Sequence, residues 1–178
     1  MSDTSIRMAH DDRDFEVARA LCREWLEWHW KAFPDDGPRE NNPLDPKAFQ
    51  SVIDDLPQIH ARPHGGILLA EVNNRPAGCV MYQALEPDVA EIKRLFVNQS
   101  GRGHGLGQLL LEQMFEQMIA DGYRTVMFSS AKFLTHARRL YESVGFRDIP
   151  HPEGFPDHLH SFVYFMERPL LKEDRERG

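Results

Sequence analysis

The sequence predicts a mixed α+β fold of the α/β class, a central mixed, twisted sheet flanked by helices, in one domain over residues 1–170. Three observations predict it. Segments with apolar residues three and four apart alternate with short apolar runs of strand length. A turn signal, Asn73-Asn74-Arg75-Pro76, joins two of those runs as a hairpin, so the sheet opens with antiparallel strands. A strand–helix–strand crossover then fills the middle of the chain. A length of 178 residues and an apolar fraction of 41% suit such a core.

Ile6 to Ala9 reads as a first short strand, and His10-Asp11-Asp12 offers a cap for a helix from Phe15 to Trp30. Phe15, Ala18, Leu21, Cys22, Trp25 and Leu26 hold the spacing of one buried face. Trp28, Trp30 and Phe33 are left over, either stacked on the core or set at a pocket mouth. Four prolines, one glycine and two asparagines make Pro34–Pro46 a loop. It exceeds the usual length of roughly four to six residues, as lids and binding loops do. Lys47–Leu56 reads as a second helix.

Gly66–Val72 and Ala77–Leu85 are the hairpin strands, and Glu86-Pro87-Asp88 turns the chain into a third, Val89–Val97. A glycine-rich turn leads into a helix from Leu106 to Asp121, stopped at Gly122. Thr125–Ser129 is the next strand, Phe133–Val144 a helix ending at Gly145, and His151–His158 a loop. His160–Glu167 closes the sheet, and the charged tail, 171–178, is expected to fray.

No run approaches the roughly 18 to 20 apolar residues that span a bilayer. Met1-Ser2-Asp3-Thr4-Ser5 lacks the basic start and apolar run of a secretory signal, so a cytoplasmic location without membrane contact is expected. Cys22 and Cys79, among apolar neighbours in different elements, favour buried free thiols over a disulfide and lack zinc spacing. The net charge of −7, from 21 basic and 28 acidic residues, argues against a nucleic-acid partner. It suits a cationic or amine substrate, and it equally serves solubility alone.

The chemistry concentrates at Arg102-Gly103-His104-Gly105-Leu106-Gly107, between a strand and an apolar-faced helix. Alternate glycines let the backbone turn tightly and approach a ligand closely. The free N–H groups of the helix's first turn face the same space, and the helix dipole favours an anion there. A pyrophosphate is the natural guest. A dinucleotide loop fits less well, since the sixth position is Gln108 counted from Gly103 and Leu106 counted from Gly101. A triphosphate loop needs Lys and Ser/Thr after its last glycine, where Gln108 stands.

Glu91-Ile92-Lys93-Arg94-Leu95-Phe96-Val97, Arg102 to Gly107 and Leu109-Leu110 closely resemble the coenzyme A-binding motif of the GNAT superfamily of N-acetyltransferases. Ala137, Leu140-Tyr141-Glu142 and Gly145-Phe146 are similar to its second signature, and Ile149-Pro150 resembles a branch of small bacterial-type members. The resemblance covers nearly the whole domain and implies the acyl-CoA N-acyltransferase fold with acetyl-CoA as cosubstrate. It implies that the backbone of Leu95, Phe96 and Val97 binds the pantetheine arm. The amides of Arg102, Gly103, His104, Gly105, Leu106 and Gly107 would cradle the pyrophosphate. Strands Val89–Val97 and Thr125–Ser129 would splay around the acyl-bearing arm. Leu134 stands where many members carry an asparagine, and Ser130-Ala131-Lys132-Phe133 departs from the branch, so the acceptor does not carry over by analogy.

Acyl transfer to an amine needs a deprotonated nitrogen, donors for the oxyanion and a proton for the departing thiolate. The resemblance makes Tyr141 the candidate acid; a phenol of reference pKa about 10 holds its proton at neutral pH. Packing of the ring with a wet hydroxyl is the alternative. Glu91 is the candidate base, and period-two alternation puts it on one face with Lys93, Leu95 and Val97. It could instead be a surface glutamate paired with Lys93 or Arg94. Backbone N–H groups near Leu95 and Phe96 suit the thioester carbonyl. Arg102, His104, Lys132, Arg138 and Arg139 could add charge near phosphates. His151, His158 and His160 lack ligand partners, so no metal is expected, although His158 and His160 would share a face if the last strand starts early.

These readings point to an N-acetyltransferase in which a small-molecule primary amine attacks acetyl-CoA directly in a ternary complex. One alternative is a non-catalytic CoA-binding sensor, docking or forming a homodimer through Trp28, Trp30 and Phe33. The other is a protein or peptide N-acetyltransferase, which needs a groove wide enough for a chain.

Overall fold

A computed structural model describes residues 1–175. The strands are β1 Thr4–Met8, β2 Gly66–Val72, β3 Arg75–Glu86, β4 Val89–Val97, β5 Thr125–Ala131, β6 Arg147–Ile149 and β7 Val163–Pro169. The helices are α1 Asp12–Ala32, α2 Pro46–Asp54, α3 Leu56–Ile59, α4 Leu106–Ala120, α5 Thr135–Ser143 and α6 Lys172–Arg175. The strands form one mixed sheet in the order β1-β2-β3-β4-β5-β7-β6, which is the helix-flanked architecture the sequence predicts. Among the described residues no helix is long and apolar enough to cross a membrane.

Both faces of the sheet are covered, and the strand period divides the core in two. Leu68, Ala70 and Val72 of β2 join Leu110, Met114 and Phe115 of α4 in one apolar cluster. Ile67 and Leu69 of the same strand join Ala18, Leu21, Cys22 and Leu26 of α1 in the other. Each leucine fully buried this way contributes about 1.5–3 kcal/mol. The Asp11 carboxylate caps α1 by accepting from the N–H of Asp14 at 2.8 Å. Asn73 and Asn74 take φ values of 50° and 63° between facing residues Val72 and Arg75. Two consecutive left-handed residues match the right-handed twist of the hairpin they join.

Two features of β4 position the site. It pairs with β5 in parallel at Val89↔Thr125, Ala90↔Val126 and Glu91↔Met127 only, so beyond Glu91 the two strands part. β5 instead pairs with β7 along its whole length. On its other edge β4 carries an extra residue, because Met81 faces Lys93 while Cys79 faces Phe96, and Arg94 takes φ +55°. The bulge corrects the expectation that Glu91, Lys93, Leu95 and Val97 share a face. Ile92, Leu95 and Val97 pack with the α4 cluster, and Phe96 lies in the α1 cluster. One inserted residue reverses which face each later residue meets.

Three other expectations change. The stretch before β7 stays irregular to Phe162, with a 3₁₀ turn at Asp157–Leu159, so His158 and His160 share no strand face. β6 follows α5 as a three-residue strand on β7. The tail forms α6 rather than fraying over 171–175, while residues 176–178 lie outside the described residues. Its anchor is Asp174, whose carboxylate accepts from Arg168 Nη2 at 2.5 Å and from the N–H of Leu171 at 2.7 Å. Arg168 is 5% exposed, with its guanidinium 4.2 Å from the Phe115 ring centre. A charge buried so deeply requires a partner, and the tail supplies it.

Candidate active site

At the open end of β4 the chain builds an anion cradle. The Asn98 side chain accepts from the N–H of Gly101 at 3.3 Å and opens a single 3₁₀ turn, Gln99–Gly101. Gly103 and Gly105 follow with φ values of 81° and 67°, a backbone that favours glycine. α4 begins at Leu106 with Gly105 as its N-cap and no side-chain cap. Leu109 is the first of its amides to find a carbonyl, that of Gly105 at 3.2 Å. The N–H groups of Leu106, Gly107 and Gln108 are left to a ligand, with the positive end of the helix dipole behind them. Arg102 is exposed and His104 half-buried beside them. This arrangement fits a pyrophosphate.

The parting of β4 and β5 leaves a slot beside the cradle. Past Glu91 the β5-side edge of β4 has no strand partner, so the backbone of Leu95, Phe96 and Val97 is open to an extended ligand. The residues present fit the cosubstrate at both ends.

Tyr141 of α5 is buried, stacked on Phe128 at 3.9 Å between ring centres, with Phe146 edge-on at 5.4 Å. Burial pushes its phenol up, so it stays protonated well above neutral pH. Its hydroxyl takes no hydrogen bond from the described residues. Glu91 is the last β4 residue paired with β5, at the point where the strands part. It accepts from Gln83 Nε2 at 3.2 Å and pairs with Lys93 Nζ at 3.3 Å. Neither Tyr141 nor Glu91 lines the cavity on the α1 side, and the structure brings them into no direct contact. Arg138 is committed to Glu142 at 2.8 Å and Asp148 at 2.5 Å and lies over Tyr164, whereas Lys132 and Arg139 are exposed.

That cavity, about 550 Å³, lies on the α1 side between Ile92–Arg94 of β4 and Ser129–Ala131 of β5. Trp25, His29 and Phe33 of the α1 segment line it, with Leu44 of the long loop. The loop is held by Trp30 Nε1, which donates to the Leu44 carbonyl at 2.8 Å. Phe33 is therefore at the pocket, Trp30 is half-buried, and only Trp28 of the three leftover aromatics is exposed.

Sequence reasoning missed three polar groups here. Arg94 enters the cavity because of the bulge. Its Nη2 donates to His60 Nε2 at 2.7 Å, and His60 Nδ1, bonded to the Tyr82 carbonyl at 2.9 Å, must carry the ring proton. Burial, then the nearby Arg94 charge, lowers the pKa of His60 to about 3. His29 is 3% exposed with both ring nitrogens unpartnered, and burial lowers it to about 4. Only its place in a helix of otherwise apolar spacing hinted at this. Cys22 and Cys79 are free and buried, and burial raises both thiols. His151 and His160 stack at 4.4 Å and each bonds a backbone carbonyl, while His158 is exposed. Among the described residues the one trio with metal-ligand spacing is His10, Asp11 and Asp14, but the Asp14 carboxylate already binds Arg7 and the Asp11 carboxylate accepts from the Asp14 N–H.

Known proteins share the family and the fold. A family model described as "Acetyltransferase (GNAT) family" matches residues 22–146. An uncharacterized N-acetyltransferase of Schizosaccharomyces pombe is 35% identical over 104 residues, 56% of this chain and 64% of that protein. An N-acetylaspartate synthetase of Danio rerio is 26% identical over 110 residues, 61% of this chain and 39% of that protein. The chain thus spans less than two thirds of either relative. A GNAT-family acetyltransferase of Staphylococcus aureus superposes with TM-score 0.72 at 20% identity, covering 95% of this chain and 100% of that one. An acetyltransferase of Salmonella typhimurium solved with acetyl-CoA gives 0.66 at 18% identity, covering 95% of each chain. The chain belongs to the GNAT family of acetyl-CoA-dependent N-acetyltransferases.

Proposed function

We propose that this enzyme acetylates the primary amine of a small molecule, which attacks acetyl-CoA directly in a ternary complex. The observation that carries this reading is the cavity on the α1 side, open to the gap between β4 and β5 and separate from the cradle at α4. Two substrates can then meet at the gap without displacing each other, and holding them together can supply several kcal/mol of the barrier. About 550 Å³ suits a small molecule rather than a peptide, and the loop held by Trp30 narrows access further. The Danio rerio relative is named for a small N-acetylated product, which is in keeping with such an acceptor.

In this reading the amides of Arg102 to Gly107 hold the pyrophosphate and the edge of Leu95 to Val97 holds the pantetheine arm. Tyr141 gives its proton to the departing thiolate. Glu91, paired with Lys93, takes a proton from the incoming ammonium through water. A cytoplasmic site of action suits the two unpaired thiols. The sensor reading draws less support, because Trp28 alone remains of its three-aromatic docking or dimer surface.

The test is release of free CoA thiol against a broad amine panel, with the acetylated product weighed by mass spectrometry. At least one small amine is expected to exceed the rate of hydrolysis. Tight CoA uptake with no acceptor in the panel would leave a binding protein without turnover. Acceptance of peptides alone would move the acceptor to a protein.

A further inference from the structure

We infer that the acceptor carries a carboxylate alongside its amine, and that Arg94 is the residue that binds it; the inference rests on the acetyltransferase reading above. Arg94 lines the cavity, and among the described residues no carboxylate stands within 4 Å of its guanidinium. Its partners are neutral. His60 accepts from Nη2 through a ring whose proton is fixed on the far nitrogen, and Phe49 offers its face at 5.5 Å. Nε is buried and donates to nothing. Arginine does not shed its proton, so the cavity wall holds a positive charge that no carboxylate contacts directly; Glu91 acts on it only at a distance and is already paired with Lys93.

The rest of the wall has the same character. Lys93 is already matched by Glu91 at 3.3 Å, and no aspartate or glutamate lines the cavity. An amine without a carboxylate would enter as a cation facing a cation. An aminocarboxylate brings the missing anion, and a planar guanidinium takes a carboxylate with two parallel bonds. His60 holds the fork in place in advance, so little freedom is lost on binding. Arg94 sits three residues beyond Glu91 on the strand that borders the gap, so a carboxylate anchored there leaves the amine end of a short molecule free to reach the thioester. Trp25, Phe33 and Phe49 give the wall an apolar stretch beside polar Asn42, Gln83, Ser129 and Ser130, which fits an acceptor with an apolar body.

The experiment compares matched acceptors: aminocarboxylates with apolar side chains, their carboxamides, and the corresponding amines without the group. Wild-type enzyme is expected to favour the acids over the amides by roughly 100-fold or more in kcat/KM, the range for removing one partner of a buried charge pair. Arg94→Gln should abolish that preference while retaining CoA uptake by calorimetry. Arg94→Lys should restore only part of it. Equal or better use of amides and plain amines by the wild type overturns the inference and leaves the acetyltransferase reading standing.

If no amine turns over, titration of CoA-loaded protein with 3-phenylpropionate and its amide decides the point. Arg94-dependent preference for the acid upholds the carboxylate site while the enzyme reading fails, and absence of preference overturns both. Should Arg94→Gln fail to fold, the wild-type acid–amide comparison decides by itself.

Discussion

Tyr141→Phe removes one oxygen from a position where the structure separates chemistry from packing. The ring is 5% exposed and stacked on Phe128 at 3.9 Å, contacts that phenylalanine keeps. The hydroxyl bonds to none of the described residues, so no protein hydrogen bond is lost. Stability should change by no more than about 0.5 kcal/mol, a Tm shift within roughly 2 °C for a chain of this size. The chemical step should slow by about 10²–10⁴-fold if the phenol protonates the departing thiolate. Single-turnover thiol release measures that step without interference from product release, and CoA titration checks that binding is unchanged. Because burial raises the phenol's pKa, the wild-type rate should show no alkaline fall from this group below about pH 10. A variant rate within threefold of wild type, or a loss of several kcal/mol in stability, would assign Tyr141 to packing and remove the proposed acid.

Two further outcomes follow from buried ionisable groups. His29 and His60 have folded pKa values near 4 and 3, below the unfolded value of about 6.5, so the unfolded chain binds more protons between those limits. Their contribution is complete above pH 6.5 and is lost as pH falls, at about 1 kcal/mol per pH unit for each group. Urea unfolding at pH 7 and pH 5 should show this well above the carboxylate range, and equal stability at the two values would sink the argument. Truncation after Leu171 removes the Asp174 carboxylate from Arg168, two groups 4% and 5% exposed, and should cost about 3–5 kcal/mol. A truncated chain that melts within 2 °C of the full one would contradict it.

The parts of the fold governed by local rules were legible in the residues. Gly66–Val72 and Val89–Val97 are bounded by turn residues and form strands of those lengths. Gly103 and Gly105 occupy left-handed backbone where the sequence placed a tight turn. What escaped depends on a partner far along the chain. β6, three mostly exposed residues, exists only because β7 is beside it. α6 exists through the pairing of Asp174 with Arg168, and a charged tail read alone gives no sign of it. The bulge in β4 is defined by the residues of β3 across the ladder, so no periodicity along β4 itself could reveal it. The candidate site was thus half legible: the cradle follows from glycine spacing, whereas the acceptor wall follows from a slip in register.

That slip also reverses the electrostatic expectation for the acceptor. A net charge of −7 suits a cationic substrate at long range, where salt screens exposed charges beyond about 8 Å. Inside the cavity the balance has the opposite sign, since Arg94 is unpaired among the described residues and no acidic side chain lines the wall. A buried charge is screened far less than an exposed one, so recognition at this distance follows the local guanidinium rather than the sum over the chain. The two fields need not conflict. An aminocarboxylate near neutral pH carries no net charge, so the acidic exterior does not repel it. In the proposed complex its carboxylate meets Arg94 and its ammonium lies toward Glu91, at the point where β4 and β5 part.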